Sequence, residues 1–182
     1  MALLWTISVC GLFSLVLAAP PECEQLIKPV DLTDPTVFDG KWFVVAAIGQ
    51  GNMKWQKYFE GMTSSSFEMS PVSEDGKIHV RWADRVEGKC LPGTLDVTVS
   101  GSKSSSMFEG VLHESEYLQT CPDCLLFTDT STQDNVLSKY MFLSKRQGSL
   151  TEAELETLKK QAECLDVPLT VYTYEAADLC PY

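Results

Sequence analysis

The side chains able to do chemistry are few, and their spacing does not build a catalyst. His79 and His113 are the only histidines, and neither stands at metal-ligand spacing from cysteine or carboxylate partners. The serine-rich stretches TSSSF (63–67) and KSSSM (103–107) lack the strand–turn–helix context of a nucleophile elbow. No glycine-rich phosphate loop is present. Cys121-Pro122-Asp123-Cys124 has the spacing of a redox pair, but such a site needs a helix after it, and Leu125–Thr130 reads as strand. The sequence is therefore read as a non-enzyme with no cofactor and no metal. Its cysteines have another use. Cys10 lies in an apolar leader, and six follow: Cys23, Cys90, Cys121, Cys124, Cys164 and Cys180. An even count in an oxidising compartment implies disulfides, and six cysteines allow about fifteen pairings.

That compartment is read from the first residues. Positions 1–19 carry no charged side chain, the apolar run Leu3–Leu17 is too short to span a bilayer, and Ala18 and Ala19 follow it. Residues 1–18 are expected to be a secretory signal peptide, with residues 19–182 forming one domain around one core. No second run of spanning length follows. The formal charge of −11 argues against nucleic acid and anionic membranes as partners.

The elements that must position any site follow from period and punctuation. Asp34 and Pro35 suit the start of a helical turn. Strand-like runs rich in Val, Phe, Tyr, Trp and Thr then recur at 42–48, 63–69, 77–86, 92–99, 105–112, 115–121, 124–129 and 136–145. SEDG (73–76) reads as a hairpin turn and SGSKSSS (100–106) as a looser one. The period then changes: Leu155, Leu158, Ala162 and Leu165 share one helical face, Ser149 or Thr151 caps that helix with a Glu three residues on, and Pro168 ends it. LTVYTY (169–174) reads as a last strand. Eight strands, one amphipathic helix and a final strand describe an all-β, eight-stranded up-and-down antiparallel barrel with a C-terminal α-helix packed outside. A β-sandwich fits the pattern alone as well. Eight strands leave room for side chains and one small ligand.

The stretch FDGKWFVVAAIGQ (38–50) places Gly40 and Trp42 at the mouth of a strand after a helical turn, and this resembles the first signature of the lipocalin family. In that family Trp42 would plug the closed barrel end, Gly40 would let the turn cross beneath it, and a basic residue at the end of the eighth strand, here Lys145 with Arg146 beside it, would stack over the indole. Within the family, GKWFVVAA and CLDVPLTVYTYEAADLC are similar to the orosomucoid type. EGKCLPG, TCPDCLLF and ECLD are similar to apolipoprotein M, and APPECEQLIKPV to the fish saxitoxin- and tetrodotoxin-binding proteins.

The resemblance implies the pairs Cys23–Cys164 and Cys90–Cys180, and leaves Cys121 and Cys124 to a local clip. It also implies a ligand wall. Alternation from Trp42 puts Val44, Ala46 and Ile48 inward. By likeness to the lining positions of the orosomucoid type, Phe67, Met69, Val80, Trp82, Asp84, Leu95, Val97, Met107, Glu109, Leu125, Phe127, Tyr140 and Phe142 join them. Trp55, Tyr58 and Phe59, at i, i+3 and i+4 in the loop 49–62, would form the lid. Asp84 and Glu109, if inward, would favour a cationic ligand, because an ionised carboxylate in an apolar cavity needs a partner. The expected function is that of a secreted carrier of a small hydrophobic or amphiphilic molecule. The alternative is a lipid carrier on lipoprotein particles, like apolipoprotein M.

Overall fold

A computed structural model of the chain describes residues 21–30, 32, 34–72 and 76–182. The expected leader and Ser73–Asp75 of the SEDG turn lie outside them. A short helix α1 (Pro21–Leu26) leads to a 3₁₀ turn, Pro35–Phe38, which Asp34 caps by accepting the Thr36 N–H at 3.0 Å. The chain enters β1 (Gly40–Gln50) through Gly40, whose φ of +97° is a left-handed conformation that costs glycine little. Helix α2 (Met53–Gly61) follows, then β2 (Met62–Pro71), β3 (Lys77–Val86), β4 (Lys89–Ser100), β5 (Lys103–Phe108), β6 (Val111–Leu118), β7 (Cys124–Gln133) and β8 (Val136–Lys145). Helix α3 (Glu152–Cys164) and β9 (Val171–Thr173) end the order.

The strands pair antiparallel in the order β2 to β8, then β1, and β1 returns to β2, so the sheet closes into the expected eight-stranded barrel. The closure is partial in height. Gly40–Phe43 pair with β2, whereas Ala46–Ile48 pair on that same side with β9. No helix among the described residues is long and apolar enough to cross a membrane.

Two local features set which side chains face inward. The register of β1 against β8 shifts between Val44 and Ala46. At this bulge the alternation skips a residue. Trp42, Val44 and Ala47 belong to the interior core, and Val45, Ala46 and Ile48 to the outer one. The expectation that Ala46 and Ile48 face the cavity is thus overturned by one inserted residue. The β5–β6 turn is Glu109–Gly110, both with positive φ (49° and 78°), as a two-residue hairpin of the primed kind requires. The expected break fell four residues later, between 112 and 115. Parity along β5 is set at its other end, by the tight β4–β5 turn that pairs Ser100 with Lys103 and Val99 with Ser104: with Val97 inward, Ser104, Ser106 and Phe108 face in and Met107 faces out.

Outside the barrel, α3 lays Leu158 and Ala162 on Val45, Ala46, Ile48, Met141 and Leu143. Its start is a capping box: Thr151 Oγ1 accepts the Glu154 N–H, and Glu154 accepts the Thr151 N–H. The three disulfides are Cys23–Cys164, joining α1 to α3, Cys90–Cys180, joining β4 to the tail, and Cys121–Cys124, clipping the β6–β7 connection.

Candidate functional site

The closed end is built first. Trp42 is buried, donates its Nε1–H to the Phe38 carbonyl at 2.9 Å, and carries a guanidinium 4.1 Å from its ring centroid. That guanidinium belongs to Arg146, not to Lys145 as expected. Along β8, Tyr140 and Phe142 line the interior while Leu143 packs outside, so Lys145 also points outside, where it pairs with Glu154 at 2.7 Å. Arg146 swings beneath the base and donates to the carbonyls of Asp39 (2.7 Å) and Val37 (3.2 Å). A Cβ on Gly40 would stand 3.1 Å from that guanidinium.

Above this floor lies a cavity of about 330 Å³. Of the expected wall, Val44, Phe67, Met69, Val80, Trp82, Asp84, Leu95, Val97, Phe127, Tyr140 and Phe142 border it. Leu125, two residues nearer the closed end than Phe127, is buried in the interior core without forming wall. Met107 does not reach the cavity at all and is 60% exposed, because the β4–β5 pairing of Val99 with Ser104 turns Ser104, Ser106 and Phe108 inward in its place. Glu109 sits in the turn itself and reaches only the rim, where it pairs with Lys54. The residues expected to form the lid lie on α2, which is capped by Asn52, whose side chain accepts the Trp55 N–H at 3.1 Å. Trp55, Tyr58 and Phe59 all border the cavity, and Phe59 packs on Tyr140 with ring centroids 4.6 Å apart.

Reading the sequence missed the whole inward face of β6: His113, Ser115 and Tyr117. It also missed Asp129 on β7. Asp129 Oδ1 lies 2.9 Å from His113 Nδ1, and Oδ2 accepts from Ser115 Oγ at 3.3 Å. The Glu109–Gly110 pair was the available signal for β6, since a turn there pairs Phe108 with Val111 and carries the parity of β5 into β6.

Two carboxylates therefore face the interior from opposite walls, four strands apart in a ring of eight. Their surroundings differ. Asp129 has protein partners on both oxygens. Asp84 on β3 is 7% exposed, accepts the Tyr58 hydroxyl on Oδ2 at 2.5 Å, and leaves Oδ1 buried with no hydrogen-bond partner among the described residues. Burial pushes its pKa up, against the opposing effects of Tyr58 and Ser65. Burial and the Asp84 charge raise the Tyr58 pKa, which keeps that hydroxyl protonated as the donor. The Tyr140 hydroxyl also lines the cavity, buried and unpartnered.

Trp82 shows how tightly the wall is cut. It stands opposite Gly93 in the β3–β4 ladder, and a Cβ there would meet the indole at 2.2 Å. Gly93→Ala should drive Trp82 out of position and weaken a fluorescent cavity probe about tenfold with the melt little changed. Unchanged probe affinity would remove Trp82 from the wall.

The model of the ApoM domain matches residues 4–181. The chain belongs to the ApoM domain family. Bovine alpha-1-acid glycoprotein is 29% identical over 93 residues, which is 50% of this chain, and the chain spans about half (46%) of that relative's length. Among solved structures, an odorant-binding protein superposes with a TM-score of 0.69 at 15% identity, covering 84% of this chain and 99% of that one. The bovine lipocalin allergen Bos d 2 gives 0.65 at 18%, covering 82% and 99%. The siderocalin Ex-FABP gives 0.65 at 16%, covering 80% and 99%. This ApoM-domain chain thus has the lipocalin barrel, with α3 outside.

Proposed function

We propose that this ApoM-domain protein is a secreted carrier that holds a small, mainly apolar, cationic molecule in the barrel without altering it. Drug-like amines, guanidinium toxins and amine lipids are members of that class. The observation that carries the reading is Asp84: a buried carboxylate with one oxygen lacking a hydrogen-bond partner among the described residues, in a cavity whose wall is mainly apolar and whose other inward carboxylate, Asp129, is already partnered. The volume of about 330 Å³ is at the small end of small-molecule sites. Apolar walls attract any carbon framework at roughly 25 cal/mol per Å² and do not choose between ligands. Choice falls to Asp84, which a carboxylate ligand leaves unpaired and an ammonium satisfies. The charge-free leader and the three disulfides support secretion.

The test is a titration of tryptophan fluorescence, from Trp55 and Trp82 at the cavity, with an alkyl amine and a fatty acid of equal length. The amine should bind about tenfold more tightly. Asp84→Asn should abolish the preference and Glu109→Gln should leave it. The pH dependence has a defined sign. Since burial raises the Asp84 pKa from 3.8, its contribution to the stability of the empty fold is largest below 3.8 and is lost as pH rises through the folded value. A bound ammonium needs the ionised form, so amine affinity should rise over that same interval. Equal affinities for amine and fatty acid, or a preference that survives Asp84→Asn, would remove the cationic assignment.

The family match favours a second reading, a lipid carrier held on lipoprotein particles through a retained leader. Amino-terminal sequencing of the exported protein decides between them: a chain beginning near Ala19 favours the free carrier.

A further inference from the structure

The mouth-end edge of β5 to β8 carries apolar side chains that stay exposed among the described residues. Met107 pairs with Leu112 across β5–β6, and Thr132 pairs with Leu137 across β7–β8. His113 pairs with Ser131, so Leu112 and Thr132 are level. Each of the four alternates with a cavity-lining neighbour (Ser106, His113, Ser131, Ser138) and so points outward. Met107 is 60% exposed, Leu112 51% and Leu137 60%. Val136 is exposed at the β7–β8 tip. Met53 is exposed at the start of α2, directly after Asn52, which donates to Gln133 at the end of β7. Half of the ten exposed large hydrophobic residues described are therefore gathered at the mouth. The next outward row toward the closed end is Ser105, Glu114, Thr130 and Lys139, so the apolar band is one residue deep.

We propose that this rim docks the barrel, mouth first, on a zwitterionic phospholipid surface. Three observations select that occupant. The five side chains expose on the order of 500 Å² in a band one residue deep, and a lipid surface asks only that such a row sink by a side chain's depth. Glu114 and Asp134 are exposed around the row, Glu109 there is paired with Lys54, and the chain carries −11, a combination that repels anionic lipid and suits the outer ammonium groups of phosphatidylcholine. The row also borders the opening of the cavity, which α2, the Glu109–Gly110 turn and the Asp134–Asn135 turn surround, so an apolar molecule would pass from lipid to barrel without crossing open water. Docking stands whether or not that molecule is an amine.

The experiment is flotation of the full disulfide-bonded chain with vesicles of phosphatidylcholine or of phosphatidylserine. The unmodified chain should float with phosphatidylcholine and less well with phosphatidylserine. The double variant Met107→Glu, Leu137→Glu should partition at least tenfold less, with near-ultraviolet dichroism and cavity-probe affinity unchanged. If the double variant does not fold, Leu112→Gln takes its place, with a loss of about threefold expected. Flotation that survives these variants assigns the contact to another segment and overturns the proposal. So does a preference for phosphatidylserine, or a dimer seen by sedimentation that the double variant dissolves.

Discussion

Trp42→Ala is expected to lose about 3–5 kcal/mol of folding stability, the range found when a buried aromatic is emptied from a core that does not collapse around the void. Collapse is difficult here. The indole is fixed from below by Arg146, which is itself held by the carbonyls of Val37 and Asp39. Removing the ring also strips the Phe38 carbonyl of its donor at a buried position. Denaturant melts of the parent and variant at a common slope measure the difference. A loss below about 1 kcal/mol would mean that the floor of the barrel repacks freely and that Trp42 is not its plug. Arg146→Met should cost less, because the flat apolar contact remains and only the charged stack and its carbonyl contacts are lost.

The second large effect concerns the tail. Cys90→Ser combined with Cys180→Ser opens a loop of sequence separation 90, worth about 4–5 kcal/mol in the chain-entropy model. The same double change at Cys121 and Cys124 opens a separation of only 3 and should cost under about 2 kcal/mol. Position reinforces this order. The tail bound by Cys180 accepts hydrogen bonds at the Asp178 carbonyl from Arg85 Nε (2.7 Å) and Ser64 Oγ (3.3 Å). Comparing the two variants by denaturant midpoint checks the ranking, and a costlier Cys121–Cys124 pair would reverse it.

What could be read from the sequence was whatever repeats or caps. Period-two runs located eight strands, the change of period located α3, and Thr151 with Glu154 marked its start. Gly40 and Trp42 located the closed end. What escaped were choices of a single residue. Nothing in the run Val44-Val45-Ala46-Ala47 announces a bulge, because all four are small or β-branched and fit either face. Likeness to the lining positions of the orosomucoid type put Met107 inward, whereas the tight β4–β5 turn, with Ser100 paired to Lys103, sets the opposite parity. Lys145 and Arg146 are adjacent bases, and only the parity of β8 decides which one lies beneath the indole. The inward pair His113–Asp129 depends on that same uncertain parity across two hairpins, and so remained invisible.

The division of β1 between two neighbours has a mechanical consequence. Near the floor, Gly40–Phe43 are laced to β2 by backbone pairing, while higher up the flank of β1 belongs to β9, and Met62–Ser65 of β2 pair with β3 alone. The barrel is thus a sleeve sewn at its cuff and buttoned at its collar. The upper seam is closed by β9, the tail and the underside of α2, where the Tyr174 hydroxyl donates to the Phe59 carbonyl at 3.3 Å. Widening the collar breaks side-chain contacts and leaves the ladder bonds of the eight strands intact. For the proposed carrier, such a barrel would accommodate guests of differing girth at fixed depth: the floor would set how far a molecule enters, and the seam how broad it is.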